Sequence, residues 1–371
     1  MLRIRGREVR PLVQGGMGVG VSAHGLAGAV AREGCVGTVS SVDLRRLHPD
    51  LMAATGRSRD RQAIEQANLT ALDREIRAAR DIAGGRGMIA VNVMRAVSQY
   101  PDYVRQACKS GADAIVVGAG LPFDLPELTA EWPEVALIPI LSEARAIGLV
   151  LKKWQRKGRL PDAIVIEHPR YAGGHLGAAK LDEVADARFD FAQVVPAAQR
   201  LFEEMRIEPI PLIVAGGINS PARVREALAL GAAGVQVGTP FAVTEEGDAH
   251  LEFKRVLAGA QAQDIVTFMS VAGLPARAVR TPWLARYLEK EAALQRRAKR
   301  RRECTLGWDC LAQCGLRDGK AGMGQFCIDH HLAAALRGDV EHGLFFRGSE
   351  PVPFGPEIRP VRELTEHLLA A

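Results

Sequence analysis

The chain has 371 residues, 47% of them hydrophobic, which is ample for a large core and suits one main domain with an appendage. No apolar run approaches the roughly 18 residues that a membrane-spanning helix needs, and the opening MLRIRGREVRPLVQGG lacks the apolar segment of a signal peptide. The expectation is a cytoplasmic chain without a membrane partner, and aromatics at 5% argue against a base-stacking nucleic-acid surface.

Taken in order, residues 11–14 (PLVQ) predict a first short strand. Gly15-Gly16-Met17-Gly18-Val19-Gly20 follows, a loop too glycine-rich to be chosen for stability alone. A helix over 23–33 leads to a second strand, 35–40. A long, mostly polar helix covers 60–83, and 88–92 is the third strand, with Asn92 at its C-terminal end. Helix 101–110 leads to strand 114–117, followed by strand 135–140, helix 143–156 and strand 163–166. Helix 192–205 precedes strand 212–215. Helix 221–230, strand 234–237 and a last helix over 248–259 complete the alternation.

Strands alternating with helices in this way predict an α/β fold, a parallel (β/α)8 TIM barrel. A doubly wound open sheet fits the alternation nearly as well. The barrel is preferred because glycine or polar residues end most strands on the C-terminal side: Gln14-Gly15, Ser40, Asn92, Gly118, Ser142 and Glu167. Those ends form the active face of a barrel. No GxGxxG opens a helix with an acidic residue at the right distance beyond it, which sets a Rossmann site aside.

Two stretches carry the chemistry. In 211–241, PLIVAGGINSPARVREALALGAAGVQVGTPF, the backbone N–H groups of Gly216, Gly217, Gly238 and Thr239 would cradle a dianion, with the Thr239 hydroxyl adding a bond. The alternative is that these glycines serve only tight turns. After the strand at 163–166 comes EHPRYAGGHLG, in which His175, flanked by glycines at a barrel mouth, is a candidate general base. Its alternative is a histidine satisfied by a backbone carbonyl. His168 lacks the glycine setting. Glu167 faces either a ligand hydroxyl or water, and Tyr171 is either a ligand stack or a loop anchor.

Beyond residue 285 the alternation stops, which divides the chain into 1–285 and an extension, 286–371. A basic helix over 283–301 carries Arg296, Arg297, Lys299, Arg300 and Arg301, with Arg302 next. This is either a solvated helix end or a patch for nucleic acid or an acidic carrier. Cys304, Cys310, Cys314 and Cys327 follow with gaps of 5, 3 and 12 residues. Thiolates at that spacing suit a [4Fe–4S] cluster or Zn²⁺, with metal-free thiols as the other alternative. Cys35 and Cys108 are expected to be packed thiols, and His330-His331 helix-surface residues. The tail after 331, one helix and then a loop over 338–355, is expected to cover the main domain or a partner chain.

PLVQGGMGVGVS, AVNVM, YAGGHLG, PLIVAGGI, ALALGAAGVQVGTPF, TEEGDAH and SVAGLPARAVRTPW together resemble the nitronate monooxygenase (2-nitropropane dioxygenase) family of FMN-dependent barrels, between residues 8 and 285. The flavin type of enoyl-acyl-carrier-protein reductase is a close branch. The resemblance implies that Gly16, Met17, Asn92 and Gly174 contact the flavin and that Gly216, Gly217, Gly238 and Thr239 hold its phosphate. It aligns His175 with the family's catalytic histidine, which removes the proton α to the nitro group before the nitronate gives an electron to FMN and oxygen reacts. The family commonly has a glutamine-glycine pair and an acidic residue before AGGH. Here Glu167 to Tyr171 read EHPRY, which leaves the substrate open. The cysteines look like those following the barrel in iron–sulfur flavoenzymes such as 2,4-dienoyl-CoA reductase. Three readings follow: an FMN oxidoreductase that oxidises alkyl nitronates with O2; an NAD(P)H-dependent flavin reductase of quinones or enoyl thioesters with an iron–sulfur relay; and a non-catalytic FMN-binding module whose basic segment meets a partner. An NAD(P)H or protein electron donor and a homodimer are the partners these readings leave open.

Overall fold

The structure, a computed structural model, describes residues 1–301 and 304–370; Arg302 of the basic stretch lies outside them. The chain opens with an antiparallel hairpin, β1 (Leu2–Ile4) and β2 (Arg7–Val9). Next come β3 (Leu12–Gln14), β4 (Val36–Ser40), β5 (Met88–Met94), β6 (Ala114–Gly118), β7 (Ala136–Leu141) and β8 (Ile164–Glu167). They are followed by a two-residue strand, β9 (Gly174–His175), and by β10 (Leu212–Ala215), β11 (Gly234–Val237), β12 (Ile265–Met269) and β13 (Pro275–Val279).

Eight of these strands close into the expected parallel barrel, in the order β10-β11-β3-β4-β5-β6-β7-β8. Short β-branched runs such as Ile164-Val165-Ile166 suit strands buried on both faces. The interior is filled by Val13, Val36, Ala90, Val116, Ile138, Val165 and Ile213, and the hairpin closes its lower end with Leu2, Ile4 and Val9. Neither this plug nor the separate antiparallel sheet β12-β13-β9 is among the sequence expectations. Between β6 and β7 the crossover helix shrinks to Leu125–Leu128, and the last helix of the alternation begins at Leu251 rather than 248.

The extension buries its apolar side chains in the barrel's own core. Leu311, Phe326, Ile328, Leu344, Val361 and Leu364 belong to one cluster with Leu26, Ile76 and Trp154 from the barrel helices. Arg46 ties the two regions together by pairing with both Asp43 and Asp329. The basic helix stops at Arg296, short of the remaining basic residues. His331 departs from its expected surface position: its ring stacks on Trp283 at 3.8 Å, its Nδ1–H donates to the His342 carbonyl, and burial holds its pKa down to about 4.

The helix His24–Arg32 presses directly on β4. A Cβ on Gly37 would stand 1.8 Å from the Ala27 carbonyl oxygen, so the strand carries no side chain there. Gly37→Ala is therefore expected to lower unfolding stability by about 3 kcal/mol, read as a shift in urea midpoint at unchanged m-value; an unaltered midpoint would show that helix and strand are less tightly apposed.

Candidate active site

A cavity of about 270 Å³ opens at the C-terminal ends of the barrel strands. Gly16, Met17, Asn92, Gly174, His175, Gly216, Gly217, Gly238 and Thr239, singled out from the sequence, all line it. The pairing of β3 with β4 lapses after one residue pair, and the fully buried Gln14 side chain takes over. Its Oε1 accepts the Thr38 N–H at 2.7 Å and its Nε2 donates to the Gly15 carbonyl, which fixes the start of the glycine loop. Gly16 passes so close to β5 that a Cβ there would meet the Asn92 Cβ at 2.3 Å.

Gly216 and Gly217 both take left-handed φ, +96° and +78°. Their missing side chains are also demanded by the protein: a Cβ would lie 2.9 Å from the His168 carbonyl oxygen at Gly216, and 3.0 Å from the Tyr171 ring at Gly217. Gly238 differs, because the nearest atom to a Cβ there is the Met17 sulfur at 3.9 Å, so that space is left to the cavity. Among the described residues, the N–H groups of Gly216, Gly217, Gly238 and Thr239 have no backbone partner. The Thr239 hydroxyl oxygen accepts the Gly348 N–H at 3.0 Å and keeps its own proton to donate. Unpaired donors converging on one cavity fit an anionic group.

His175 is held as a strand residue. Ala276 and Arg277 of β13 register with His175 and Gly174, and the Leu176 N–H donates to the Pro275 carbonyl at 2.8 Å. The His175 Nε2 lies 3.0 Å from the Ser270 hydroxyl, whose oxygen also accepts the Ala272 N–H at 3.2 Å. Its Nδ1 has no hydrogen bond among the described residues, and the ring lies edge-on to Phe346 at 5.6 Å. Burial pushes the imidazole pKa down to about 4, and the same cause pushes the Glu167 carboxyl, also on the cavity wall, up to about 7. Both groups lie deep below the protein surface yet remain open to the cavity.

The neighbouring loop residues do other work. The His168 Nδ1 accepts the Arg170 N–H, which leaves Nε2–H to donate to Asp190 at 3.0 Å, while the ring packs on Tyr171 and Phe191. Tyr171 anchors this loop and also borders the cavity. Arg170 is exposed and donates to the Ala185 carbonyl. Cys35 and Cys108 are buried, packed thiols, each raised by burial to about 12.

The four cysteines of the extension lie within electrostatic reach of one another: Cys310 feels Cys304, Cys314 and Cys327, and Cys304 feels Cys314. Among the described residues, no three His, Cys, Asp or Glu side chains are gathered so as to hold a metal ion. Cys304, Cys310, Cys314 and Cys327 are free and half-buried, and three of them have distinct backbone anchors. Cys310 is tied through its carbonyl to Ser98, Cys314 opens the short helix Gly315–Asp318, and Cys327 caps Ile328–Leu336. Burial favours the protonated thiol, raising Cys327 to about 11 and Cys310 further.

Two parts of the site are not foreseen from the sequence. Ser270 is 95 positions from the histidine it contacts, within a motif otherwise quoted only for its resemblance. The second is the C-terminal segment, whose Phe346, Arg347, Gly348 and Glu350 form one wall of the cavity.

The family model described as nitronate monooxygenase matches residues 7–370. A probable nitronate monooxygenase of Bacillus subtilis (strain 168) is 26% identical over 290 residues, covering 74% of this chain and 78% of that protein. The structure of FabK from Thermotoga maritima superposes with a TM-score of 0.68 at 23% identity, over 97% of this chain and 91% of that one. Nitroalkane oxidase from Streptomyces ansochromogenes superposes with 0.64 at 19% identity, over 97% and 94%. At these identities the two structures establish the fold alone.

His175 is expected to remain neutral down to about pH 4, followed by NMR of ¹⁵N-labelled histidine. Because burial depresses the folded-state pKa below the ordinary 6.5, the associated stability is present above pH 6.5 and lost as pH falls through about 4. An imidazole that titrates at 6.5 would mean that the ring is solvated.

Proposed function

Because this chain belongs to the nitronate monooxygenase family, we propose that it is an FMN-dependent oxidoreductase that oxidises alkyl nitronates with O2, with His175 as its base. The observation that carries this reading is the state of His175: a neutral imidazole tethered through one nitrogen, its other nitrogen unbonded, on the wall of a cavity with unpaired N–H donors. Gly216, Gly217, Gly238 and Thr239 would hold the phosphate of FMN, and Gly16, Met17, Asn92 and Gly174 would border its ring system. FMN supplies the electron-accepting chemistry when bound.

The chain's own part is proton handling. The His175 Nδ1 takes the proton from the carbon α to a nitro group, and the Ser270 oxygen accepts the Nε2–H of the resulting imidazolium. An imidazole with a pKa of about 4 is a weak base while the cavity holds no anion. Deprotonation creates the anion that corrects this, since a nitronate beside the ring favours its charged form. Glu167, raised to about 7, is largely protonated below that pH and then does not repel the anion.

The assignment separates two substrates. His175→Ala is expected to keep its flavin and lose about 10²- to 10⁴-fold in turnover of a neutral nitroalkane, while a preformed nitronate, already deprotonated, loses far less. Oxygen uptake with each substrate is the measurement. Equal losses on both would remove the base role. Flavin bleaching by NADH or NADPH, without nitronate-driven oxygen uptake, would replace the whole reading with a reductase.

A further inference from the structure

Arg347 is a buried cation that makes no salt bridge among the described residues. It is 2% exposed, and among the described residues its side chain meets only neutral partners. Nε donates to the Leu257 carbonyl at 2.8 Å and Nη1 to the Gly348 carbonyl at 3.0 Å, while Nη2 has no partner among those residues. Burial lowers its pKa from the usual guanidinium range. Removing a guanidinium from water is unfavourable unless a charge of opposite sign arrives. Glu350 and Asp264 both act on it electrostatically, yet neither comes within salt-bridge distance, and Glu350 accepts the Ser349 hydroxyl instead. A second buried arginine, Arg277 at 6% exposure, is satisfied by the carbonyls of Pro169 and Ala172.

The position of Arg347 is as informative as its charge. It lines the cavity, and the next residue, Gly348, donates its N–H to Thr239 at the strand end where the unpaired donors gather. On its other side the Arg347–Gly348 peptide is pressed against Gly173, where a Cβ would lie 2.4 Å from the Arg347 carbonyl carbon. The segment is thus held by backbone between the anion cradle and the histidine loop.

We propose that Arg347 is an anion-binding residue of this cavity, and that its ligand is the phosphate monoester of the bound cofactor. This rests on the FMN reading above. A forked guanidinium suits a phosphate dianion, and it would add charge to a cradle otherwise made of neutral N–H groups and one hydroxyl. The C-terminal segment is then part of the cofactor site.

FMN and riboflavin differ only in the phosphate monoester, so the two flavins titrated into flavin-free protein, followed by flavin fluorescence, test the contact. Arg347→Met is expected to weaken FMN by about tenfold or more and leave riboflavin unchanged. Inorganic phosphate should compete with FMN in the parent protein and lose that effect in the variant. Arg347→Gln, neutral but still able to donate to the Leu257 carbonyl, gives the same comparison if the methionine variant does not fold. An FMN-to-riboflavin affinity ratio that is unchanged in the folded variant overturns the proposal, as does equal weakening of both flavins. A parent protein that binds both flavins equally well overturns it while leaving the flavin reading intact. A parent protein that binds neither removes both.

Discussion

The site depends on one short backbone pairing, that of β9 with β13. Two residues, Gly174 and His175, register with Arg277 and Ala276, and this makes the imidazole part of a sheet outside the barrel rather than part of a free loop. The turn before β13 delivers the second half of the arrangement. The Ser270 N–H donates to the Leu274 carbonyl at 2.9 Å, and this closes the turn with the Ser270 hydroxyl 3.0 Å from the ring. Farther along β13, Ala278 pairs with Phe346, so the C-terminal wall of the cavity follows the histidine strand along the same neighbour. One strand therefore aligns the imidazole, its tether and the C-terminal wall, which Gly348 joins to Thr239.

The glycines around the site obey this packing as much as any ligand. Gly173 is bare because the Arg347–Gly348 backbone occupies the space of a side chain, and Gly216 and Gly217 because the loop from His168 to Tyr171 does. Gly238 alone among the four cradle positions opens its side-chain space toward the cavity with nothing closer than 3.9 Å. A motif such as AGGH thus marks where two protein segments meet as well as where a ligand lies. The two causes coincide because the segments that meet are those that shape the cavity.

Much of this was legible in the sequence, for identifiable reasons. The barrel strands are short apolar runs that end in glycine or polar residues, and that pattern is local. The cavity residues stand at those ends, so a correct strand order brings Gly16, Asn92, Gly216 and Gly238 together without further information. β13 is different: Pro275 to Val279 reads PARAV, buried at every position, with a charged residue inside and no alternation to reveal it. The link from Ser270 to His175 and that from Phe346 to Ala278 are long-range contacts with no local signature. The cysteine spacing suggests a ligand set, and the fold brings the four thiols within electrostatic reach of one another while anchoring their backbones at Ser98 and at two separate helix starts.

The electrostatics of the cavity follow from depth rather than from ion pairs. Burial moves His175 down to about 4 and Glu167 up to about 7, so near neutrality the imidazole carries no charge and the carboxyl is only partly ionised. What remains is a set of N–H donors, a threonine hydroxyl and the Arg347 guanidinium, all of which favour negative charge. Such a cavity resists charge on its own acid and base while it is without an anion, and accepts it when one is present. On the proposed reading, a proton leaving a carbon acid moves to an imidazole whose second nitrogen is already placed against a hydroxyl. The cost of charging that ring would fall as such a substrate became the anion beside it, which would couple proton transfer to the presence of the substrate.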